Sequence, residues 1–127
     1  MGSEGLGPIG QIHVSVTDLE GSVAFYRDTL GLPLLFTVPG QSMAFFDAGG
    51  VRLYLGVPET AELRSNPLLY FRVDDIQEAH RTLRGRGVRF RDEPHVVHRA
   101  DGVELWMAFF VDPDGTTLAL MAERPEA

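Results

Sequence analysis

The sequence repeats itself once over most of its length, and this repeat constrains the fold more than any other feature. VSVTDL at 14–19 has its counterpart 57 residues later in FRVDDI at 71–76. MAFF occurs at 43–46 and again at 107–110, and VRLYL at 51–55 matches TTLAL at 116–120. Each copy predicts a strand, a helix and three short strands, with hairpin turns at AGG 48–50 and DPDG 112–115. Two copies of such a long period indicate a duplication inside one domain.

We therefore predict an α+β fold of two βαβββ modules, about 9–57 and 67–122, within a single domain of residues 1–127. Residues 58–66 are predicted to link the modules. The first helix is expected to begin after a cap at Asp18 and to end at Gly31. In the second helix an apolar stripe of Ile76, Ala79 and Leu83 follows a cap at Asp74 or Asp75, which leaves His80 on the surface.

The composition excludes several classes of function. The chain has no Cys, so it has no disulfide, no thiolate nucleophile and no cysteine-based zinc site. It also has no Lys and therefore no Schiff-base lysine. Its 11 Arg stand against 18 acidic residues, and a net charge of −7 disfavours nucleic-acid binding. It has no apolar run long enough for a membrane span. Met1–Gly5 has no signal-peptide character, so a cytoplasmic location is expected.

Strand alternation divides the side chains of the sheet between two faces. One face is purely apolar and is expected to pack under the helices; its members include Val14, Val16, Leu53, Leu55, Leu118 and Leu120. The opposite face mixes apolar bodies with polar tips, as in Gln11, His13, Ser15, Arg52, Tyr54, Leu68, Tyr70, Arg72, Ala119 and Met121. Such a mixture predicts a ligand-lined concavity. The alternative is that this face is covered by water or by a partner subunit.

The sequence resembles the vicinal oxygen chelate superfamily, which includes glyoxalase I, bleomycin-resistance proteins and extradiol dioxygenases. IHVSVTDLEGSVAFYRDTLG at 12–31 resembles the opening module of that family, and the resemblance extends to FFVDPDG at 109–115 before the last strand. Both modules show it, over nearly the whole chain. The resemblance implies paired βαβββ modules in a half-open mixed β-barrel around a site, and it implies a homodimer.

Metal-dependent members of that family hold a cation on the first, fourth, fifth and eighth strands. The resemblance places the four ligand positions at Gln11, Tyr54, Leu68 and Ala119. A divalent cation needs several converging carboxylate or imidazole groups, and this set offers one neutral amide oxygen and one phenol. We therefore expect no metal at the usual site and no other cofactor. A displaced metal site that uses His13, on the same face as Gln11, is the alternative.

Two arginines, one tryptophan and two histidines are further candidate site residues. Arg52 and Arg72 could clamp an anionic ligand, but pairing with acidic neighbours is the more common role of such arginines. Trp106 is expected to wall the cavity or to lie at a subunit contact. His95 and His98 are expected in a loop after the sixth strand, either exposed or closing over the cavity as acid or base.

Two functions follow. The first is a small-molecule-binding protein similar to the bleomycin-resistance group, without the usual metal ligands. Its expected ligand-binding residues are Gln11, His13, Arg52, Tyr54, Leu68, Tyr70, Arg72, Trp106 and Ala119. The second is an enzyme of the lyase, isomerase or dioxygenase type, metal-free or with the relocated metal. In that case His13 would be the general base, and Tyr54 or Tyr70 the proton donor.

Overall fold

The computed structural model describes residues 5–126. Four of the five residues on which the signal-peptide prediction depends, 1–4, lie outside the described residues. Two compact units are present, one ending at Ser65 and the other beginning at Asn66. In the N-terminal unit the elements are β1 (Gln11–Ser15), α1 (Leu19–Ala24), β2 (Leu34–Thr37), β3 (Met43–Asp47) and β4 (Arg52–Gly56). In the C-terminal unit they are β5 (Leu69–Arg72), α2 (Ile76–Gly85), β6 (Arg89–Phe90), β7 (His95–Ala100), β8 (Val103–Val111) and β9 (Thr117–Pro125).

Each unit contains one mixed sheet, and the two sheets have the same topology. The N-terminal sheet has the order β1-β4-β3-β2, and the C-terminal sheet has the order β5-β9-β8-β6, with β7 also paired to β8. The first and last strands of each module are parallel, and the remaining pairs are antiparallel. The predicted α+β fold of two βαβββ modules is therefore confirmed.

The helices cover the apolar faces of the sheets. α1 contacts β3 and β4, and α2 contacts β8 and β9. Under them the predicted apolar side chains are buried: Val14, Val16, Leu53 and Leu55 in the first unit, Leu118 and Leu120 in the second. The mixed faces predicted from alternation therefore lie on the opposite side of each sheet.

The first helix departs from the expected continuous α-helix. After Ala24 the chain winds as a π-helical segment over Phe25–Thr29, closed by the N–H of Leu30 on the carbonyl of Phe25 (2.9 Å). Asp18 occupies the N-cap position, but its side chain makes no capping hydrogen bond. Gly31 follows with φ 83°, a conformation that favours glycine and that ends the helix as predicted.

In the second helix the cap is Asp75, whose carboxylate accepts from the N–H of Glu78 (3.1 Å). The surface position expected for His80 is wrong. The residue is 4% exposed, its ring centroid lies 4.3 Å from that of Phe90, and its Nε2 has no hydrogen-bond partner among the described residues. Because Ile76, His80 and Leu83 recur at helical spacing, the aromatic body of His80 completes the buried stripe.

The loop expected around His95 and His98 is also wrong, because this stretch forms β7 antiparallel to β8. Asp101 and Gly102 have φ of 53° and 75° and form the two-residue turn of a hairpin. A bulge between Val96 and His98 shifts the register, so His95 lies opposite Met107 and His98 opposite Leu105. Both exposed histidines therefore lie on one face, where regular alternation predicts opposite faces.

The same hairpin explains two differences in strand boundaries. β6 and β7 both pair with β8, so the expected second strand of the module is divided into two pieces. β9 continues to Pro125, beyond the boundary of about 122 predicted for the module, because β8 is nine residues long and pairs with β9 along its whole length. Among residues 5–126, the helices lack the length and apolar character needed to cross a membrane.

Candidate functional site

Four aromatic rings form a row across the N-terminal sheet, on the side away from α1. Phe36 stacks on Phe45 with centroids 4.6 Å apart, and Phe45 stacks on Tyr54 at 4.9 Å. Tyr54 in turn lies 4.6 Å from the ring of His13. Each neighbouring pair is in register across adjacent strands, so every strand of the sheet contributes one ring. We call this row the aromatic ladder.

The ladder presents the edges of its phenyl rings. The centroid spacing matches the separation of neighbouring strands, and the planes of Phe45 and Tyr54 differ by only 14°. Rings stacked in this way cover one another's faces, which agrees with the 7% exposure of Phe45. Ring edges carry partial positive charge, so this surface is complementary to an electron-rich aromatic face or to an anion.

Tyr54 leans along its own strand over Gly56. A Cβ at position 56 would lie 2.7 Å from the Oη and Cε1 atoms of Tyr54, which is closer than real Cβ atoms approach. Gly56 therefore leaves the space that the Tyr54 ring occupies. Tyr54 lies on the mixed face as alternation predicts, and the glycine two residues further on permits its orientation along the strand.

His13 is held from the side of the sheet. Its Nε2 is 3.1 Å from the hydroxyl of Ser15, and that hydroxyl accepts from the N–H of Ser65 (2.8 Å). The backbone N–H of Ser15 donates to the carbonyl of Ser65 (2.7 Å), so β1 is tied to the end of the first unit. The Nδ1 of His13 is buried and has no hydrogen-bond partner within the described part of the chain.

A cleft of about 960 Å³ opens beside His13 and Tyr54, with every lining residue in the N-terminal unit. Its walls are the ends of β1 and β4, the connection from Gly40 to Met43, and the 57–65 segment with its 3-10 turn Ala61–Leu63. The 57–65 segment also brings the exposed charges of Glu59, Glu62 and Arg64. The predicted linker is thus a wall of the cleft, tied to β1 through Ser65.

Gln11 and Arg52 lie next to this cleft, in register on β1 and β4. The Nε–H of Arg52 donates to the amide oxygen of Gln11 (3.1 Å), and the guanidinium carbon is 5.4 Å from the ring centroid of Phe45. Within residues 5–126, no carboxylate pairs with Arg52. The structure therefore brings Gln11, His13, Arg52 and Tyr54 together on one face.

The candidates of the C-terminal unit form a second group. Ala119 is fully buried, with Tyr70 and Phe109 as its register partners on either side. The rings of Tyr70 and Phe109 meet edge to face at 6.0 Å. Arg72 pairs with Glu123 at 3.1 Å, the acidic partner that its position favoured. Leu68 precedes β5 and, like Tyr70, is nearly half exposed.

Trp106 lies apart from that group. Its register partner is Ala122, so it shares a face with Ala108 and Phe110, opposite to the face of Ala119. Its Nε1–H donates to the carboxylate of Glu104 (3.0 Å), and the Arg124 guanidinium lies 4.0 Å from the ring centroid. This position does not bring Trp106 together with Tyr70 or Ala119.

The contacts of Glu104 give a pH prediction. A hydrogen bond from Arg99 (3.0 Å) is the main cause that lowers the pKa of Glu104, and the bond from Trp106 adds to it. These bonds favour the carboxylate, so their contribution to stability is present above the unfolded-state pKa and is lost as pH falls through the lower folded-state pKa. The fluorescence of Trp106, the only tryptophan, should change with a midpoint below the ordinary Glu pKa.

Glu104→Gln should remove this transition while the far-UV circular dichroism of the protein stays that of the folded state. A midpoint at or above the ordinary Glu pKa would contradict the assignment of these bonds.

The residues at the four family positions do not fit a divalent cation. Gln11 already directs its amide oxygen to a guanidinium, whose positive charge repels a cation. Leu68 and Ala119 have no donor atoms, and Tyr54 offers a phenol. Among residues 5–126, no group of three or more His, Asp or Glu side chains is placed to hold a metal ion. Of the four residues, only Gln11 and Tyr54 carry polar side-chain atoms, and both can donate hydrogen bonds.

Sequence reasoning missed part of this site. Phe36 and Phe45 both belong to the aromatic ladder. The MAFF repeat, which contains Phe45, predicted only that each module has a strand there. The alternation of Phe45 with its neighbours Ala44 and Phe46 could have placed Phe45 on the mixed face. The sequence marked the 57–65 segment only by its length and by Pro58, because its position depends on bonds between Ser15 and Ser65, which are distant in sequence.

Comparison with known proteins gives a consistent result. Residues 8–120 match the family model of the glyoxalase/bleomycin resistance protein/dioxygenase superfamily. The uncharacterised protein YraH of Bacillus subtilis is 33% identical over 120 residues, covering 82% of this chain and 89% of YraH. A superfamily member from Sphaerobacter thermophilus has a TM-score of 0.74 at 26% identity, covering 92% of this chain and 98% of the other.

TnmS3, an antibiotic-binding protein from a Streptomyces species, has a TM-score of 0.76 at 25% identity. The similarity covers 96% of this chain and the whole of TnmS3. The same fold therefore occurs in a protein that binds an antibiotic.

Proposed function

The chain belongs to the glyoxalase/bleomycin resistance protein/dioxygenase superfamily, and on this premise we propose that its N-terminal unit binds a small organic molecule without a metal ion. The site is the cleft beside the aromatic ladder. The antibiotic-binding activity of TnmS3 supports this class of function. The donor set at the family's metal positions supports binding through hydrogen bonds and ring contacts instead of coordination.

The observation that carries the proposal is the composition of the cleft wall. Tyr54 and His13 supply aromatic surface, and Gln11, Gln41, Ser42 and Ser65 supply neutral hydrogen-bonding groups around it. The volume of about 960 Å³ falls in the range of cavities that take drug-sized ligands. A few polar groups around an aromatic wall are the usual composition of such pockets, because the rings give affinity and the polar groups fix orientation.

The proposal is tested by screening antibiotics and aromatic metabolites by thermal shift in the presence of a chelator. We expect at least one compound to stabilise the protein, because a ligand that binds only the folded state raises its melting temperature. Tyr54→Ala should weaken that compound's binding about tenfold or more, as expected when an aromatic anchor is truncated.

Tyr54→Phe keeps the ring and is the matched control; Val97→Ala, at an exposed position of β7, controls for general effects. Affinity that survives Tyr54→Ala would contradict the proposed site.

The second candidate function is an enzyme in which His13 acts as general base and Tyr54 as proton donor, with no metal or with one relocated to His13. The observation that favours it is the unpartnered Nδ1 of His13 beside the Tyr54 ring. Conversion of a bound compound that His13→Gln abolishes, with binding retained, would identify the enzyme. The homodimer and the cytoplasmic location expected from the sequence stay predictions.

A further inference from the structure

Arg52 is restrained on the open face of the first sheet without an acidic partner. Its Nε–H donates to Gln11, and its guanidinium carbon lies 5.4 Å and 5.9 Å from the ring centroids of Phe45 and Phe36. By contrast, Arg27, Arg72, Arg81, Arg84 and Arg99 all form ion pairs with carboxylates. The contacts of Arg52 hold the side chain in place. Asp47 is its register partner on β3, but within residues 5–126 no carboxylate forms an ion pair with Arg52, and the Asp47 carboxylate accepts from the N–H of Gly50.

The bond to Arg52 also fixes the orientation of the Gln11 amide. A guanidinium has only donors, so the atom of Gln11 that faces it must be the oxygen. The amide nitrogen of Gln11 is then turned away from Arg52, and its two N–H groups are available as donors. Gln11 lines the cleft, and Arg52 lies beside it in register on β4 without being one of the lining residues. Two adjacent donor groups, one of them charged, form a binding geometry for an oxyanion.

We propose that Gln11 and Arg52 form a subsite that takes the carboxylate of a planar aromatic ligand bound in the cleft; this inference rests on the proposed function. The two residues are one register pair, and His13 and Tyr54 are the pair two residues further along the same strands. Two residues of strand span about 7 Å. A bicyclic aromatic acid can therefore place its ring against His13 and Tyr54 while its carboxylate reaches Gln11 and Arg52.

The charges on the other walls favour the same orientation. The 57–65 segment brings two carboxylates, Glu59 and Glu62, and one guanidinium, Arg64, to the cleft, so the charge of that wall is negative on balance and disfavours a ligand carboxylate. The positive ring edges of the ladder add attraction on the side of Arg52. The position that holds a cation in metal-dependent relatives would thus hold the ligand's anionic group directly in this chain.

The test is an NMR titration of the isotopically labelled protein with 2-naphthoate, and with the neutral 2-naphthamide as matched probe. The side-chain signals of Arg52 Nε–H and Gln11 NH₂ should shift saturably with 2-naphthoate and much less with 2-naphthamide. Arg52→Gln should weaken 2-naphthoate binding about tenfold, the range for loss of a charge-assisted hydrogen bond. Arg84→Gln removes the same charge from α2 and should leave the affinity unchanged.

The outcomes separate the two proposals. Shifts at Tyr54 and His13 that are equal for both probes, with no response at Arg52, reject the oxyanion subsite and leave the cleft as the binding site. An Arg52→Gln variant with unchanged affinity for 2-naphthoate also rejects the subsite. If 2-naphthoate moves no signal of the cleft and the compound screen is negative as well, both proposals fail.

Discussion

Ala119→Glu is expected to lower the free energy of unfolding by about 3 kcal/mol or more, the range for a buried charge without a partner. The variant puts a carboxylate at one of the four positions where the family resemblance places metal ligands. In this chain Ala119 is fully buried, and its register partners Tyr70 and Phe109 bring their rings together at 6.0 Å. A longer, charged side chain must displace these rings or lose its water, and we expect no gain of metal binding.

The pH dependence identifies the cause of this loss. Burial raises the pKa of a carboxyl group above its unfolded-state value, so the deficit should be small at pH below that value and should grow as pH rises through the folded-state pKa. Ala119→Ser is the matched control with a small uncharged side chain. Urea unfolding followed by Trp106 fluorescence measures the effect. A Glu variant as stable as the parent at neutral pH would contradict the packing of Ala119.

Asp112→Ala is expected to lower the free energy of unfolding by about 2–4 kcal/mol, because it removes the acceptor of two backbone N–H groups, one buried and one part-buried. Asp112 is 1% exposed. One oxygen of its carboxylate accepts from the N–H groups of Asp114 and Thr116, both at 2.9 Å. These bonds shape the DPDG turn, in which Gly115 has φ 83°. The turn sets the register of β8 and β9, so its loss affects the centre of the second sheet.

Asp112→Asn keeps one side-chain oxygen as acceptor and should lose markedly less stability than Asp112→Ala. Both variants are compared by urea unfolding at the same pH, again with Trp106 as the probe. Equal losses in the two variants would contradict the role assigned to the acceptor oxygen and would point to the charge instead.

The fold was predictable because the repeat carries period-two and helical patterns in both copies. Val14, Leu53 and Leu118 alternate with polar residues in short strands, and burial of one face leaves a single consistent register. The DPDG and AGG turns bound those strands with residues that tolerate a left-handed backbone. Local pattern and global packing therefore agree over most of both modules.

The errors arose where tertiary context overrides local pattern. His80 is polar by composition, yet its ring fills a gap against Phe90 that no sequence window shows. His95 and His98 followed a proline and preceded a turn, so the strand depended on pairing with β8, and their common face depended on a bulge. The expectation that Arg52 pairs with an acidic residue is also wrong. Its register partners are Gln11 on β1 and Asp47 on β3, and its Nε–H donates to Gln11 while the Asp47 carboxylate accepts from the N–H of Gly50.

For the candidate site, the sequence predicted only which residues share one face of the sheet. Alternation placed Gln11, His13, Arg52 and Tyr54 together, and the structure confirms that proximity. Alternation could not predict the cleft, because the wall formed by the 57–65 segment depends on bonds between Ser15 and Ser65, 50 residues apart in sequence. Alternation also could not predict the stacking of Phe36 on Phe45, because a register shift in β2 determines which residues lie opposite each other.

The central claim is that a small molecule binds beside Tyr54 and His13 through hydrogen bonds and ring contacts, without a metal ion. The most direct measurement is a crystal structure of the protein with the compound selected by the thermal-shift screen, with anomalous data to detect any transition metal. The account predicts ligand density against Tyr54 and His13 and no metal coordinated by protein side chains. A stoichiometric metal ion held by Gln11, His13 or Tyr54, or a ligand bound outside the cleft, would contradict it.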